Sequence, residues 1–221
     1  MDKYDVRKQF KELYAPRARD FAVVTVPALN YLMLDGQGNP GTAPEYAAAL
    51  EALYSVSYAV KFASKHAGRD YAVGPLEGLW MADDPRAFTR GDKDSWKWTM
   101  MIPQPDWIGP ADLQDGIAKA AAKKVPRLDR LRLETLDEGL SVQILHIGSY
   151  DDEAPTLHRL HHEFMPANGF GFAGPHHEIY LSDARRVGAG KAQNYPPPAR
   201  AEDLTHLATV CCCWPGARWV G

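Results

Sequence analysis

Cysteine is almost absent from this chain of 221 residues: the three it has are consecutive, Cys211 to Cys213. Neighbouring cysteines are poorly placed for a long-loop disulfide, so a fold held by such staples is not expected. The cysteine-free remainder fits a reducing compartment, and a cytoplasmic protein is expected. No apolar run approaches the roughly 20 residues of a membrane span. The opening MDKYDVRKQFKELY has no apolar core of a secretory signal. Basic charge is not concentrated either: 25 Lys and Arg are scattered among 28 Asp and Glu, for a formal net charge of -3. Neither nucleic acid nor a membrane is therefore an expected partner. Several catalytic signatures are missing as well. There is no nucleophile elbow, no Ser-His-Asp or Cys-His arrangement, and no HExxH. Gly36-Gln37-Gly38 lacks the third glycine and the Lys-Ser/Thr of a phosphate loop, and reads as a turn before a helix.

What is present is an ordinary globular composition, 45% hydrophobic and 24% charged, long enough for one domain or two fused halves. Two segments read alike, LNYLMLDGQGNPGTAPEYAAALEALYSVSYAVKFASK and LSVQILHIGSYDDEAPTLHRLHHEF. In each, a strand-like apolar run ends in a glycine turn and an amphipathic helix follows. Leu50, Leu53, Tyr54, Ser57 and Lys61 align at helical spacing in the first helix, as do Leu157, Leu160, His161 and Phe164 in the second. Strand candidates Tyr71 to Met81 and Ser95 to Ile102 follow the first helix, and Gly169 to Ala173 and His176 to Ser182 follow the second. The expected fold is α+β, a duplicated βαββ unit with a central groove between pseudo-twofold related halves, joined by a helix over Pro110 to Lys124. A single parallel sheet is disfavoured, because the paired strands are too closely spaced for crossovers.

The strand HHEIYLSD places Glu178 and Tyr180 on one face and Ile179 and Leu181 on the other. In SWKWTM, Trp96, Trp98 and Met100 share a face, and Trp80 in EGLWMAD adds a third indole. Tyr58, Phe62, Phe170 and Phe172 are further aromatic candidates. Such walls suit flat or cationic ligands, through stacking and the negative ring face; the alternative is that the rings are plain core. In an aromatic pocket Glu178 would act as a counter-ion or as a general base for water, with Tyr150 or Tyr180 as proton donor; otherwise it is a solvent-facing glutamate on an edge strand. His158, His161 and His162 with Glu163 follow no established zinc spacing, and His176 and His177 fare no better, so neither metal nor cofactor is expected.

The ordered series LMLDGQGNP, ALYSVSYAVKF, PLEGLW, WKWTMMIPQPDWI, EGLSVQILHIGSYDDEAPT and HHEIYLSD, from about Tyr4 to Arg186, resembles the GyrI-like small-molecule-binding proteins, in particular their stand-alone bacterial branch. The resemblance implies the duplicated fold, a ligand groove between the repeats, drug-like aromatic ligands and multidrug binding. Some members serve as effector domains of transcription regulators, but no helix-turn-helix module is expected in front of this chain. Part of the branch is similar to cyclopropanoid cyclopropyl hydrolases, which protect against DNA-alkylating natural products by opening a strained ring within an aromatic cage. That similarity implies Glu178 as the polar catalytic residue, Tyr150 and Tyr180 as hydrogen donors, and Trp80, Trp96, Trp98 and Phe172 as cage members, with Tyr58 and Phe62 as further ligand contacts. Met81 stands where a second tryptophan is usual, on the face opposite Trp80. The rival implication is a non-catalytic binder or sensor of aromatic or cationic compounds, acting as a monomer or homodimer.

Residues 1–187 are read as one domain with repeats at about 19–105 and 128–183, and 188–221 as an atypical tail. One codon choice for Gly188 to Arg200, read one nucleotide later, gives APEKLKTILRQPV, which resembles the usual ending of this branch. The tail is accordingly read as a frameshift after about Val187.

Overall fold

A computed structural model of the chain describes residues 3–16, 20–84, 86–146 and 153–181 and the strand 207–210. In chain order its elements are α1 (Val6–Gln9), α2 (Lys11–Tyr14), β1 (Ala22–Val26), β2 (Leu29–Gln37), α3 (Pro44–His66), β3 (Leu76–Met81), α4 (Arg86–Arg90) and β4 (Lys97–Gln104). There follow α5 (Pro110–Ala121), β5 (Arg132–Leu136), β6 (Gly139–Leu145), α6 (Ala154–Arg159), α7 (Met165–Ala167), β7 (His176–Tyr180) and β8 (Leu207–Val210). A π-helical turn, Leu160–Phe164, joins α6 to α7.

Local chemistry explains the longest helix. Pro44 starts α3 at a position whose N–H needs no partner, Glu45 lies in the first turn, and Lys65 and His66 lie in the last, all matched to the helix dipole. Gly68, at φ +86°, takes the left-handed conformation just beyond its end. Ala49, Leu53, Val56 and Val60 form the buried stripe that packs on the sheet and on α5. At the crossing with α5, Gly116 permits close approach, since a Cβ there would lie 2.7 Å from Val60 Cγ2.

The strands form one antiparallel sheet in the order β1-β6-β8-β7-β3-β4-β2-β5. Exchanging β1–β4 for β5–β8 maps that order onto its own reverse, so the expected duplication is present, with its pseudo-twofold between β3 and β7. The leading strand of each half crosses over. β1 is two residues from β2 in the chain yet pairs β6, and β5 pairs β2. The partner strand of β7 also differs from expectation: it is Leu207–Val210, within the tail read as atypical, and not Gly169–Ala173. The sequence Gly-Phe-Gly-Phe-Ala-Gly-Pro resists a continuous strand, with Gly169 at φ +70° and only an isolated bridge at Phe172.

Each sheet face has its own core. Under α3 and α5 lie Leu32, Leu34, Trp80, Trp98, Met100 and Ile102. On the far face Tyr31, Met33, Leu79 and Met101 form one cluster, and Val6, Leu13 and Tyr14 of the N-terminal helices pack with Val26 and Ile179 in another. Among the described residues no helix is long and apolar enough to cross a membrane.

Candidate active site

At the pseudo-twofold, β3 and β7 pair so that Gly78 lies opposite Glu178. Strand alternation turns His176, Glu178 and Tyr180 toward the helix face, where Trp80 also points. Gly78 leaves room there, because a Cβ in its place would lie 3.1 Å from Trp80 Nε1 and 3.2 Å from Met100 Sδ. The Tyr180 hydroxyl donates to Glu178 Oε2 at 2.7 Å and accepts from Trp80 Nε1 at 3.1 Å. Glu178 is only 5% exposed and Tyr180 6%. A buried carboxylate is costly to hold unless it is hydrogen-bonded, and Tyr180 supplies that bond. The single hydroxyl proton of Tyr180 is thereby directed at Glu178.

Aromatic rings lead from this carboxylate to solvent. Trp80 meets Trp96 edge to face at 5.6 Å, and Trp96 meets Phe88 of α4 at 5.1 Å. Phe88 is exposed. On the inner side Tyr46 of α3 stacks against Trp80 at 6.4 Å and meets Trp98 edge-on at 5.2 Å. Burial and then the charge of Glu178 raise the pKa of Tyr46, which keeps its hydroxyl neutral. Trp98 is 1% exposed, lies over Gly36, and donates from Nε1 to the Gly38 carbonyl at 3.2 Å. It is the floor of the cluster, whereas the half-buried Trp96 and the exposed Phe88 are its outer rings. Tyr58 and Phe62 stack on each other at 6.3 Å and are exposed on α3. Phe172 is also exposed, with its ring 4.6 Å from that of His161. Tyr150 lies outside the described residues.

Acidic and basic groups from the second half complete the surroundings. His176 Nε2 lies 3.4 Å from Glu178 Oε1 and 4.0 Å from Oε1 of Glu153, the residue before α6. Glu153 is 5% exposed. Neither contact has hydrogen-bond alignment, and both buried ring nitrogens of His176 lack a hydrogen-bond partner. Burial opposes the charged imidazole, but Glu178 and Glu153 outweigh it and raise the His176 pKa. His161 behaves oppositely: burial, with the neighbouring charges of His176 and His162, pushes it down to about 4, so it is neutral. Donor atoms of Glu153, His176 and Glu178 lie within 4.8 Å of one another, close enough for a metal ion and equally for a shared proton. A depression of about 500 Å³, lined by Asp35, Gly36, Glu45, Lys97, Trp98 and Arg132 among others, shares Trp98 with this cluster, and Glu178 is not in its lining.

Residues 19–193 match the model of the GyrI-like small molecule binding domain. The chain belongs to the GyrI-like family. Among solved GyrI-like relatives, an uncharacterized conserved protein from Listeria innocua is 33% identical with a TM-score of 0.78, covering 94% of this chain and 98% of its own. A hydrolase from Listeria innocua is 32% identical with a TM-score of 0.75 over the same shares. No curated protein matches the chain.

This GyrI-like domain holds a second buried polar cluster on the opposite face of the same two strands. His177 Nε2 contacts Glu77 Oε2 at 3.0 Å, while Nδ1 contacts both carboxylate oxygens of Glu138 at 3.0 Å. Tyr14 of α2 donates to Glu77 Oε1 at 2.8 Å. Burial disfavours charge on His177, yet the two carboxylates prevail and raise its pKa to about 10. Sequence reasoning weighed His176 and His177 only as metal ligands and set them aside, and it missed Tyr46, Glu77, Glu138 and Glu153. Tyr46 left a readable signal, since it falls on the buried stripe of α3 one turn before Leu50, and so did His176, which alternates onto the face of Glu178 and Tyr180. Glu77 and Glu138 stand in apolar contexts, PLEGLW and EGL, that carry no pairing information.

Proposed function

We propose that the chain binds flat aromatic small molecules and hydrolyses the strained cyclopropane of a cyclopropyl dienone, protecting against DNA-alkylating toxins of that kind. The observation that carries this reading is the buried Glu178 carboxylate, held by Tyr180, which in turn accepts from Trp80, at the inner end of a run of aromatic rings. Family membership supports small-molecule binding, and the relative called a hydrolase supports catalysis. An aromatic substrate stacks against the half-buried Trp96, whose ring abuts Trp80, and this orients its cyclopropane for attack; orientation of this kind is worth several kcal/mol. Glu178 accepts a proton from the water that attacks the methylene carbon. Tyr180 aligns that carboxylate.

The test is product analysis after incubation with a cyclopropyl dienone, using wild type and Glu178→Gln. Hydrolysis by wild type, lost in Glu178→Gln with stacking affinity retained, is the expected result. Tight binding without turnover by wild type would replace the proposal with the binder reading, in which Glu178 is a counter-ion for cationic aromatics. Equal hydrolysis by both proteins would remove Glu178 from the chemistry.

A further inference from the structure

Opening a cyclopropyl dienone creates two charge problems, and Glu178 answers only one. The attacking water loses a proton, and the dienone oxygen becomes a phenolate that must gain one. The described donors near Glu178 are mostly committed. The Tyr180 proton is on Glu178, the Trp80 N–H is on Tyr180, and the Trp98 N–H is on the Gly38 carbonyl. Tyr46 is buried among rings and holds its proton tightly. His161 is neutral. Trp96 Nε1 is buried and unpartnered, but an indole N–H can hydrogen-bond without transferring its proton.

We propose that His176, poised between Glu178 and Glu153 with both ring nitrogens free of hydrogen bonds, is the catalytic acid that protonates the dienone oxygen. This inference rests on the hydrolase reading of the site. The water oxygen bonds to the methylene carbon as that carbon's bond to the ring breaks. The released electron pair passes through the dienone to its oxygen. Glu178 takes the water proton, and the imidazolium of His176 gives its proton to the new phenolate. Glu178 is then an acid and His176 a neutral base with their atoms 3.4 Å apart. Transfer of one proton between them restores the starting site, so the net reaction adds one water and consumes no external proton. Glu153 is the positioning residue, because its carboxylate 4.0 Å from Nε2 helps keep His176 charged in a buried setting. Glu178 on the same strand and Glu153 before α6 face His176 as carboxylates, His161 faces it from the turn after α6, and His177 is its chain neighbour.

The experiment is single-turnover hydrolysis by wild type and His176→Gln of a series of spirocyclopropyl dienones whose phenol products differ in acidity. Affinity for one phenol product is measured alongside. His176→Gln should lose about 10²–10⁴-fold in rate on the dienone giving the least acidic phenol. The deficit should shrink steadily as the phenol becomes more acidic and needs less protonation, while product affinity stays within twofold. A deficit of the same size across the series, with wild type active, overturns the role of His176 and leaves the hydrolase reading standing. An inactive wild type overturns that reading itself, and the proposal with it. Should His176→Gln not fold, Glu153→Gln gives the same discrimination, because loss of the positioning carboxylate must also produce a deficit graded by phenol acidity.

Discussion

The far-face cluster permits a worked prediction about stability and pH. His177 has an ordinary pKa of 6.5 when unfolded and about 10 when held between Glu77 and Glu138. A base whose folded pKa is raised contributes stability that is complete below its unfolded pKa and is lost as pH rises toward the folded value. The difference corresponds to about 5 kcal/mol as a ceiling, falling by about 1.4 kcal/mol per pH unit between 6.5 and 10. With a urea m-value of about 3 kcal/mol/M, the unfolding midpoint drops by about half a molar per pH unit. His177→Gln removes the cation and leaves two buried carboxylates, a loss of roughly 3–5 kcal/mol near neutral pH. Urea unfolding of both proteins at unit intervals from pH 6.5 to 9.5 measures the effect. The His177 charge holds the His176 pKa down, so the comparison is made in a His176→Gln background, which removes that second titration from both proteins. The stability gap between the proteins with and without His177 should close as pH rises. A gap that stays constant across this range would refute the argument that His177 is a buried cation.

Two further perturbations follow from the site. Gly36→Ala would set a Cβ 2.0 Å from the Trp98 ring, and the forced shift should cost about 1–3 kcal/mol in chemical denaturation, with a change in tryptophan emission. Because Glu178 and Glu153 favour the charged form of His176, prolonged dialysis against a chelator should leave hydrolysis and thermal midpoint unchanged; activity restored only by added zinc would mean the trio of donors holds a metal.

The side of each element that meets the core was legible wherever a simple period applied. Alternation in HHEIYLSD correctly grouped Glu178 with Tyr180, and helical spacing found the stripe containing Leu50 and Leu53. What periodicity lacks is the identity of the neighbour across the gap. Glu153 and His176 meet because the segment leading into α6 returns to β7, and Glu77 meets His177 because the two halves pair at the pseudo-twofold. Neither contact leaves a trace in local pattern. Tyr58 and Phe62 illustrate the same limit. Their aromatic character suggested a place beside the tryptophans, but the turn of α3 sets them outward, stacked on each other. β8 was missed because a short strand in a stretch without periodicity gains its conformation from β6 and β7 on either side.

The crossed leading strands bear on how the chain acquires its structure during synthesis. Among the described residues β1 pairs with β6, more than a hundred residues further along. At about 5–20 residues per second, a ribosome needs many seconds to deliver that partner. Until then β1 is an unpaired edge carrying Val23, Val24 and Val26, a segment open to mispairing with another nascent chain. The two repeats therefore mature together, and severing the chain after α5 would leave β1 and β5 each separated from the strand it pairs with. Coexpressed halves should recover the sheet only by exchanging these strands.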